Sequence, residues 1–170
     1  LEGFTRATPQ EVDQLVAYGI QARVYLEMGE WAGAATAAAN ARTGRAPMSA
    51  ADWMQGFSNI NLPEVMWGAD IDAESSTSYA SFFSHFANLS PGYAGILGVY
   101  KVMDANLYSK MSETDIRRQA FIGSERDTLN FPQLPPYANM KFKDATFFEG
   151  DYIYMRSAEM YLIEAEDGIR

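Results

Sequence analysis

Ala22-Arg23-Val24-Tyr25-Leu26 near the start of the chain and Ala158-Glu159-Met160-Tyr161-Leu162 near its end share one local pattern, an alanine followed by tyrosine and leucine at helical spacing. Extending the first copy over the tetratricopeptide template fills six of its marked positions, with Pro47 one residue late: Tyr18, Ala22, Tyr25, Gly29, Ala34 and Ala41. Because each such unit buries one apolar face on a neighbour, the pattern predicts a mostly α fold, a tetratricopeptide-like α-α superhelix with long structured loops.

The first helix pair can be predicted from its start and stop signals. Thr8-Pro9-Gln10-Glu11 predicts the start of a helix, with Thr8 as cap and Glu11 completing a capping box. Gly29 predicts its end, because glycine adopts the left-handed conformation at little cost. The alanine-rich stretch 31–41 predicts a second helix that approaches its neighbour closely. The apolar stripe of the first helix comprises Val12, Leu15, Val16, Gly19, Ala22 and Leu26.

Composition excludes several classes of function. The chain has 170 residues, 48% of them hydrophobic, which is enough for the core of about one domain. The formal charge of -9 excludes a nucleic-acid partner, since no basic cluster is present to displace counterions. The absence of cysteine excludes disulfides, thiolate metal sites and thiol nucleophiles. Leu1 is not a start methionine, so we expect any targeting peptide to be removed or to lie outside this fragment.

The amino-acid composition and its periodicity change along the chain. We expect one domain, with a helix-pair repeat at 8–47, a loop-rich ligand region at 48–151 and the start of a further, incomplete repeat at 152–170. The middle region is aromatic and punctuated by glycine and proline, which predicts long structured loops with short helices. In the last region we expect Tyr161 and Leu162 to lack the cover of a partner helix.

Five segments, in order, carry a resemblance to the SusD/RagB family. They are Met28-Gly29-Glu30-Trp31, then Leu62-Pro63-Glu64-Val65-Met66-Trp67-Gly68, then Asn106-Leu107-Tyr108 leading into Asp115-Ile116-Arg117-Arg118, then Met140-Lys141-Phe142, and finally 152–166. The last of these, from Tyr152 through Arg156 to Glu166, is the most specific.

The resemblance implies a function and a location. Members of this family are surface lipoproteins of the Bacteroidetes outer membrane that capture nutrient, most often glycan, and form a lid on a TonB-dependent SusC-type transporter. It therefore implies non-enzymatic binding of an extracellular oligosaccharide or polysaccharide, with the transporter as partner and no cofactor. Family members are longer and carry an N-terminal lipidated cysteine. We therefore expect the intact protein to contact the membrane only through a lipid anchor, and the cysteine that would carry this anchor is absent from the sequence given.

Candidate ligand-binding residues follow from sugar chemistry, because a sugar ring presents an apolar face that packs on flat aromatic side chains. The candidates are Tyr79, Phe82, His85, Tyr93 and Trp53. We expect about two-thirds of the rings in 75–95 to be buried, since Phe82 and Phe86 are spaced like a buried helical face. Tyr79 and Tyr93, flanked by serine, proline and glycine, are the better exposed candidates, and burial is the more favoured interpretation of Trp53.

The acidic residues allow two further interpretations. Asp70, Asp72 and Glu74 resemble the opening of a calcium loop, but the required glycine and the distal glutamate are missing, which favours a solvated loop. Glu159 and Glu166 are seven residues apart on a predicted helix, a spacing that permits paired acid–base chemistry but is ordinary for a helix surface. Arg156 is expected to pair with Glu159.

Three functions from different classes remain open. The favoured one is nutrient capture without turnover. The alternative is a tetratricopeptide-like scaffold for protein–protein interaction, and the third is a carboxylate-dependent glycoside hydrolase. The lone His85 has no serine elbow or carboxylate constellation around it in the sequence, and this disfavours nucleophilic catalysis.

Overall fold

The computed structural model describes residues 3–144 and 148–169. Its helices are α1 (Gln14–Met28), α2 (Trp31–Ala41), α3 (Ala50–Met54), α4 (Phe82–Phe86), α5 (Tyr93–Ile96), α6 (Ala105–Lys110) and α7 (Ser157–Asp167). Two 3₁₀ turns, Ser78–Ala80 and Ile116–Ala120, and two antiparallel strands, β1 (Val65–Ala69) and β2 (Tyr152–Arg156), complete the described elements. The mostly α fold class is confirmed.

The chain divides into two compact units. Unit 1 comprises the described residues of Leu1–Ser49, Ile60–Asp70 and Tyr152–Arg170, and unit 2 those of Ala50–Asn59 and Ile71–Asp151. The segment 60–70, which lies inside the predicted loop-rich region, therefore belongs with the helix pair and the C-terminal segment.

Unit 1 is built on α1, α2 and α7. Two residues of the predicted stripe, four alanines of α2 and residues from both strands and from α7 form its core, and other stripe residues pack against it partly buried. The core residues are Val16, Ala22, Ala34, Ala37, Ala38, Ala41, Met66, Met155, Met160 and Ile163. The alanines leave room for α2 to contact both α1 and α7 closely. The two copies of the repeated pattern, on α1 and α7, thus contribute to one core.

The helix pair follows its predicted signals except at the start of α1. Gly29 caps α1 in the left-handed conformation at φ 75°, and α2 has the predicted bounds. The prediction that a helix starts at Thr8 is wrong, because Asp13 caps α1 through its Oδ1, which accepts from the Val16 N–H at 2.9 Å. Asp13 is also held by Arg6 at 3.1 Å. The Pro9 carbonyl instead accepts from the Gly68 N–H.

Two arginines join the helix pair to α7. Arg23 makes a two-pronged ion pair with Glu159, both contacts being 2.6 Å, and Arg42 pairs in the same way with Glu164. Hydrogen bonding to these carboxylates raises the pKa of both arginines. The two glutamates are therefore engaged structurally, which removes Glu159 from the acid–base interpretation.

Tyr161 and Leu162 differ in their surroundings. The Arg42 guanidinium lies 4.3 Å from the centre of the Tyr161 ring, and the Tyr161 hydroxyl donates to the Arg45 carbonyl at 3.0 Å. The Tyr161 ring is therefore covered by an arginine side chain rather than by a partner helix. Leu162 is 71% exposed, as expected.

The strand pair is anchored by one buried carboxylate. Glu64, 2% exposed, accepts from the Met48 N–H at 2.8 Å and pairs with Arg156 at 2.7 Å. Its carbonyl accepts from the Ser157 N–H. The prediction that Arg156 pairs with Glu159 is wrong, because the β1–β2 register places Arg156 opposite Val65, next to Glu64.

Unit 2 consists of short helices and turns around two apolar centres. One contains Ile122, Leu134 and Ala138, with Tyr100, Phe131 and Met140 packed on it. The other contains the buried Phe83 ring, against which Gly150 lies so closely that an added Cβ would stand 2.6 Å from the ring. Isolated bridges join Val102 to Ala138 and Phe121 to Asn139.

Candidate functional site

Unit 2 carries a set of exposed rings that we call the aromatic surface: Tyr79, Phe82, His85, Phe86 and Tyr93. Tyr79 is 47% exposed, Phe86 and Tyr93 are each 41% exposed, and Phe82 is 38% exposed. The expectation that about two-thirds of the rings in this segment are buried is wrong. Of these rings and Phe83, Phe83 alone is buried, because α4 has only five residues and sends one ring inward.

The rings of α4 pack on one another. Phe82 and Phe86 stack at 4.7 Å between centroids with an interplanar angle of 11°, and Phe142 meets Phe82 edge-on at 5.0 Å. Lys101 lies 5.8 Å from the Phe86 centroid. The spacing of four residues therefore indicates a stacked surface pair and not the buried face that we predicted.

Three of the predicted binding residues come together beside this stack. The Tyr79 and Tyr93 rings lie 5.7 Å apart at 50°, and His85 lies 5.1 Å from Tyr93. The buried Phe148 ring supports Tyr79 at 5.1 Å. Two adjoining tilted rings with a histidine at their edge offer flat apolar area beside polar hydroxyl and imidazole groups.

The backbone that holds Tyr93 is closely packed. The buried Ser84 Oγ accepts from the Tyr93 N–H at 3.2 Å, and the buried Ser81 Oγ accepts from the Ser84 N–H at 3.2 Å. A Cβ at Gly92 would stand 2.3 Å from the Ser84 Cα, so only glycine permits this approach. Tyr93 is thereby fixed against α4, the helix that carries His85.

Left-handed backbone flanks the same surface. Ser78 and Phe148 have φ values of 50° and 69°, a region that residues other than glycine rarely adopt. Phe148 is held there because its N–H donates to Asp144 Oδ2 at 2.7 Å and its carbonyl accepts from Ser76 Oγ at 2.9 Å. Such conformations cluster at binding sites, where the surrounding structure maintains them.

Asn88 is a supporting residue that the sequence analysis missed. Its amide donates to the Lys101 carbonyl at 2.7 Å and to the Asn139 carbonyl at 2.9 Å, and its oxygen accepts from the Lys101 N–H at 2.8 Å. The side chain is buried and joins three separate segments of unit 2. A single asparagine in a loop carries no sequence signal for such a role, because its partners are backbone groups far along the chain.

Trp53 lies apart from the other predicted residues. Its ring meets Phe57 edge-on at 5.5 Å and faces Lys141 at 5.8 Å. It lines a cavity of about 250 Å³, which we call the Trp53 cavity. The other walls are Met103, Leu107, Met111, Phe121, Arg117 and Lys141. Trp53 is half-buried, so it is partly accessible where burial was the favoured expectation.

The Asp115–Arg117 pair at the Trp53 cavity predicts a shifted titration. Arg117 donates twice to the Asp115 carboxylate. Its Nη2 donates to Oδ2 at 2.5 Å, and its backbone N–H donates to Oδ1 at 2.9 Å. The Arg117 side chain, followed by that N–H, lowers the pKa of Asp115 from 3.8 to about 2. Since the folded value is the lower one, the pair stabilises the fold above about pH 3.8, and this contribution is lost as the pH falls toward 2.

Carboxyl NMR titration measures this shift directly. We expect a midpoint near 2 for Asp115, rising toward 3.8 in Arg117→Ala and unchanged in Arg126→Ala, which removes an exposed arginine elsewhere in unit 2. A wild-type midpoint near 3.8 would contradict the pairing.

One acidic residue of the suggested calcium loop, Asp72, is satisfied locally. Asp72 Oδ1 accepts from the N–H groups of Glu74 and Ser75 and from the Ser75 hydroxyl at 2.7 Å. Hydrogen bonding by the Ser75 side chain lowers the pKa of Asp72. Among the residues that the structure describes, no three His, Asp or Glu side chains gather as a metal site would require.

None of the helices within 3–144 and 148–169 combines the length and apolarity needed to cross a bilayer.

Comparison with solved structures decides the fold. A SusD-like carbohydrate binding protein from Bacteroides vulgatus ATCC 8482 aligns with 98% of this chain at a TM-score of 0.79 and 21% sequence identity. The fold is SusD-like. A SusD superfamily protein from Bacteroides thetaiotaomicron VPI-5482 aligns with 94% of the chain at a TM-score of 0.66 and 17% identity.

The SusD-like fold agrees with the resemblance carried by the five sequence segments. No protein-family model matches the chain, and no curated protein matches it in sequence. The chain spans 35% of the length of the first SusD-like structure and 38% of the second. At these identities the similarity establishes the architecture, within which the aromatic surface is the candidate site.

Proposed function

We propose that this chain belongs to a non-enzymatic nutrient-binding protein that captures an extracellular oligosaccharide or polysaccharide on the aromatic surface. The observation that carries the proposal is the exposed grouping of Tyr79, His85 and Tyr93, held by buried hydrogen bonds on a SusD-like fold. Rings of this kind pack on the C–H face of a sugar, while the phenol and imidazole groups bond its hydroxyls.

One of the SusD-like structural neighbours is a carbohydrate binding protein, which supports the same ligand class. From the family resemblance we further propose delivery to a TonB-dependent SusC-type transporter at the cell outer membrane, with surface attachment through a lipid anchor. The engagement of Glu159 and Glu164 by arginines supports binding without turnover, because neither carboxylate is then placed for general acid–base work.

Calorimetric titration against α-glucan, β-xylan, α-mannan and N-glycan oligosaccharides tests the proposal. We expect saturable binding to at least one of them, weakened about tenfold or more by Tyr79→Ala or Tyr93→Ala, since loss of one stacking ring removes about 1.4 kcal/mol or more. The matched control is Tyr154→Ala, which removes a 45% exposed tyrosine of unit 1. Each titration is followed by an assay for new reducing ends.

Three outcomes would contradict the proposal. Binding that survives both tyrosine variants would remove the aromatic surface as the site, and released reducing ends would identify an enzyme. No heat with any sugar would favour the scaffold alternative. For that function the groove of about 420 Å³ on α1 and α2, lined by Tyr25 with Gln21, Thr36 and Asn40 at its polar edge, is the relevant surface.

A further inference from the structure

We propose that a second cavity of unit 2 binds a neutral aromatic molecule of two fused rings. The cavity has a volume of about 530 Å³, and we call it the Met140 cavity. Its apolar walls are Met54, Leu89, Phe121, Ile122, Phe131 and Met140. The inference is independent of sugar binding, because these lining residues are distinct from the rings of the aromatic surface.

The walls of the Met140 cavity are held in place by backbone hydrogen bonds. The Ile122 N–H donates to the Ala138 carbonyl at 2.9 Å, and the Met140 N–H donates to the Ala120 carbonyl at 2.7 Å. Phe131 and Met140 also pack on the buried apolar centre that contains Ile122. The cavity is therefore pre-formed, as small-molecule sites usually are.

The space between these walls accommodates two fused rings. An apolar cavity of roughly 150 Å³ holds benzene in an engineered protein, and small-molecule sites span about 300–1,000 Å³. An added Cβ at Gly123, which also lines the cavity, would meet no atom within 4 Å. Phe121 and Phe131 supply flat surfaces, and Met54 and Met140 supply adaptable thioethers that pack on ring edges.

The two charged groups of the lining have opposite signs and are already engaged. Lys143 Nζ donates to the Met54 carbonyl at 2.8 Å. Asp127 Oδ1 accepts from the N–H groups of Leu129 at 3.1 Å and Asn130 at 2.9 Å. Hydrogen bonds from the Asn130 backbone and side chain lower the pKa of Asp127, which keeps this carboxylate ionised at neutral pH.

This balance of charges favours a neutral ligand. A carboxylate on the ligand would meet Asp127 and an ammonium would meet Lys143, and either would lose water in surroundings that are mainly apolar. Gln119 is the remaining polar side chain of the lining. A sugar would therefore leave most of its hydroxyls without a partner, whereas a fused ring system makes no such demand.

Three probes of similar shape and different charge test the ligand class: 2-naphthylmethanol, 2-naphthoate and 2-naphthylmethylammonium. With ¹³C-methyl-methionine protein, we expect 2-naphthylmethanol to shift the Met54 and Met140 methyl signals saturably. The expected dissociation constant is about 0.3 mM, since the ligand is small. Both charged probes are expected to bind about tenfold more weakly or worse, because each must desolvate a charge. The signal of Met28, a 65% exposed methionine of unit 1, should not move.

Three results would overturn the proposal. The first is a charged probe that binds as tightly as 2-naphthylmethanol or more tightly. The second is the absence of a Met54 or Met140 shift at a concentration about tenfold above the expected dissociation constant. The third is a shift confined to Met103 and Met111, which would place the ligand in the Trp53 cavity instead.

Two variants that fill the Met140 cavity from different segments test its location. Leu89 is 42% exposed, so Leu89→Trp fills space without disturbing a core and should abolish 2-naphthylmethanol binding. Gly123→Leu should do the same, because Gly123 lies outside the left-handed region and has open space beside it. The control Leu97→Trp makes the first change at a 62% exposed leucine and should leave binding unaltered, as should Tyr93→Ala. Retained binding in either filling variant, or its loss in Tyr93→Ala, would refute the assignment.

Discussion

The Glu64→Ala variant is expected to lose about 3 kcal/mol of unfolding free energy, because removing one partner of a buried ion pair strands the other charge. Glu64 is 2% exposed, forms an ion pair with Arg156 and accepts from the Met48 N–H. Arg156 keeps some access to water, which places the loss at the lower end of the range of about 3–5 kcal/mol for such changes.

Urea denaturation followed by circular dichroism measures the loss. Glu27→Ala makes the same chemical change at an exposed position of α1 and is expected to alter stability by less than about 0.5 kcal/mol. Glu64→Gln keeps an acceptor for Met48 and should fall between the two. A Glu64→Ala loss below about 1 kcal/mol would mean that the Arg156 contact contributes little to the strand pair.

The Gly92→Ala variant is expected to eliminate measurable ligand binding at the aromatic surface and to cost about 3 kcal/mol in stability. The new Cβ would meet the Ser84 Cα at 2.3 Å and the Ser84 carbonyl oxygen at 2.7 Å, and backbone atoms cannot rotate away. Relief requires moving α5 away from α4, which breaks the Tyr93 N–H bond to Ser84 and separates Tyr93 from His85.

The control for Gly92→Ala is Gly123→Ala, where an added Cβ meets no atom within 4 Å. Both glycines lie outside the left-handed region, so the comparison isolates steric contact from backbone strain. Calorimetry with the best sugar from the titration and thermal unfolding give the two readouts. Gly92→Ala protein that binds sugar like the wild type would show that the position of Tyr93 does not matter.

Local signals explain what the sequence predicted correctly. Gly29 and the alanines of α2 act within a few residues, so turn, helix bounds and packing face follow from them directly. The start of α1 was misplaced by the same kind of reasoning. Thr8 and Asp13 are both suitable caps, and the second is accompanied by the ion pair with Arg6 and by the bond from the distant Gly68 N–H to the Pro9 carbonyl.

Distant partners explain what the sequence did not predict. Arg156 has a suitable glutamate three residues away in Glu159, yet strand pairing brings Glu64 to it instead. Burial of the aromatic residues was overestimated because a spacing of four residues on a helix has two explanations. Phe82 and Phe86 stack on each other at the surface, and rings buried under another element would have the same spacing in the sequence. The separate placement of Trp53 likewise depends on contacts with Phe57 and Lys141 that no local pattern reveals.

The segments of unit 1 lie far apart in the sequence, and this affects the order in which the two units can fold during synthesis. Its helix pair leaves the ribosome long before α7, since Arg23 and Glu159 are 136 residues apart. At synthesis rates of about 5–20 residues per second, α7 is made on the order of ten seconds after α2, and until then the alanine face that packs on α7 stays exposed. During that interval unit 2, whose segments are made in between, can fold first. Released chains that end at residue 156 should therefore protect Phe83 from solvent while α2 remains open to chaperones and proteases.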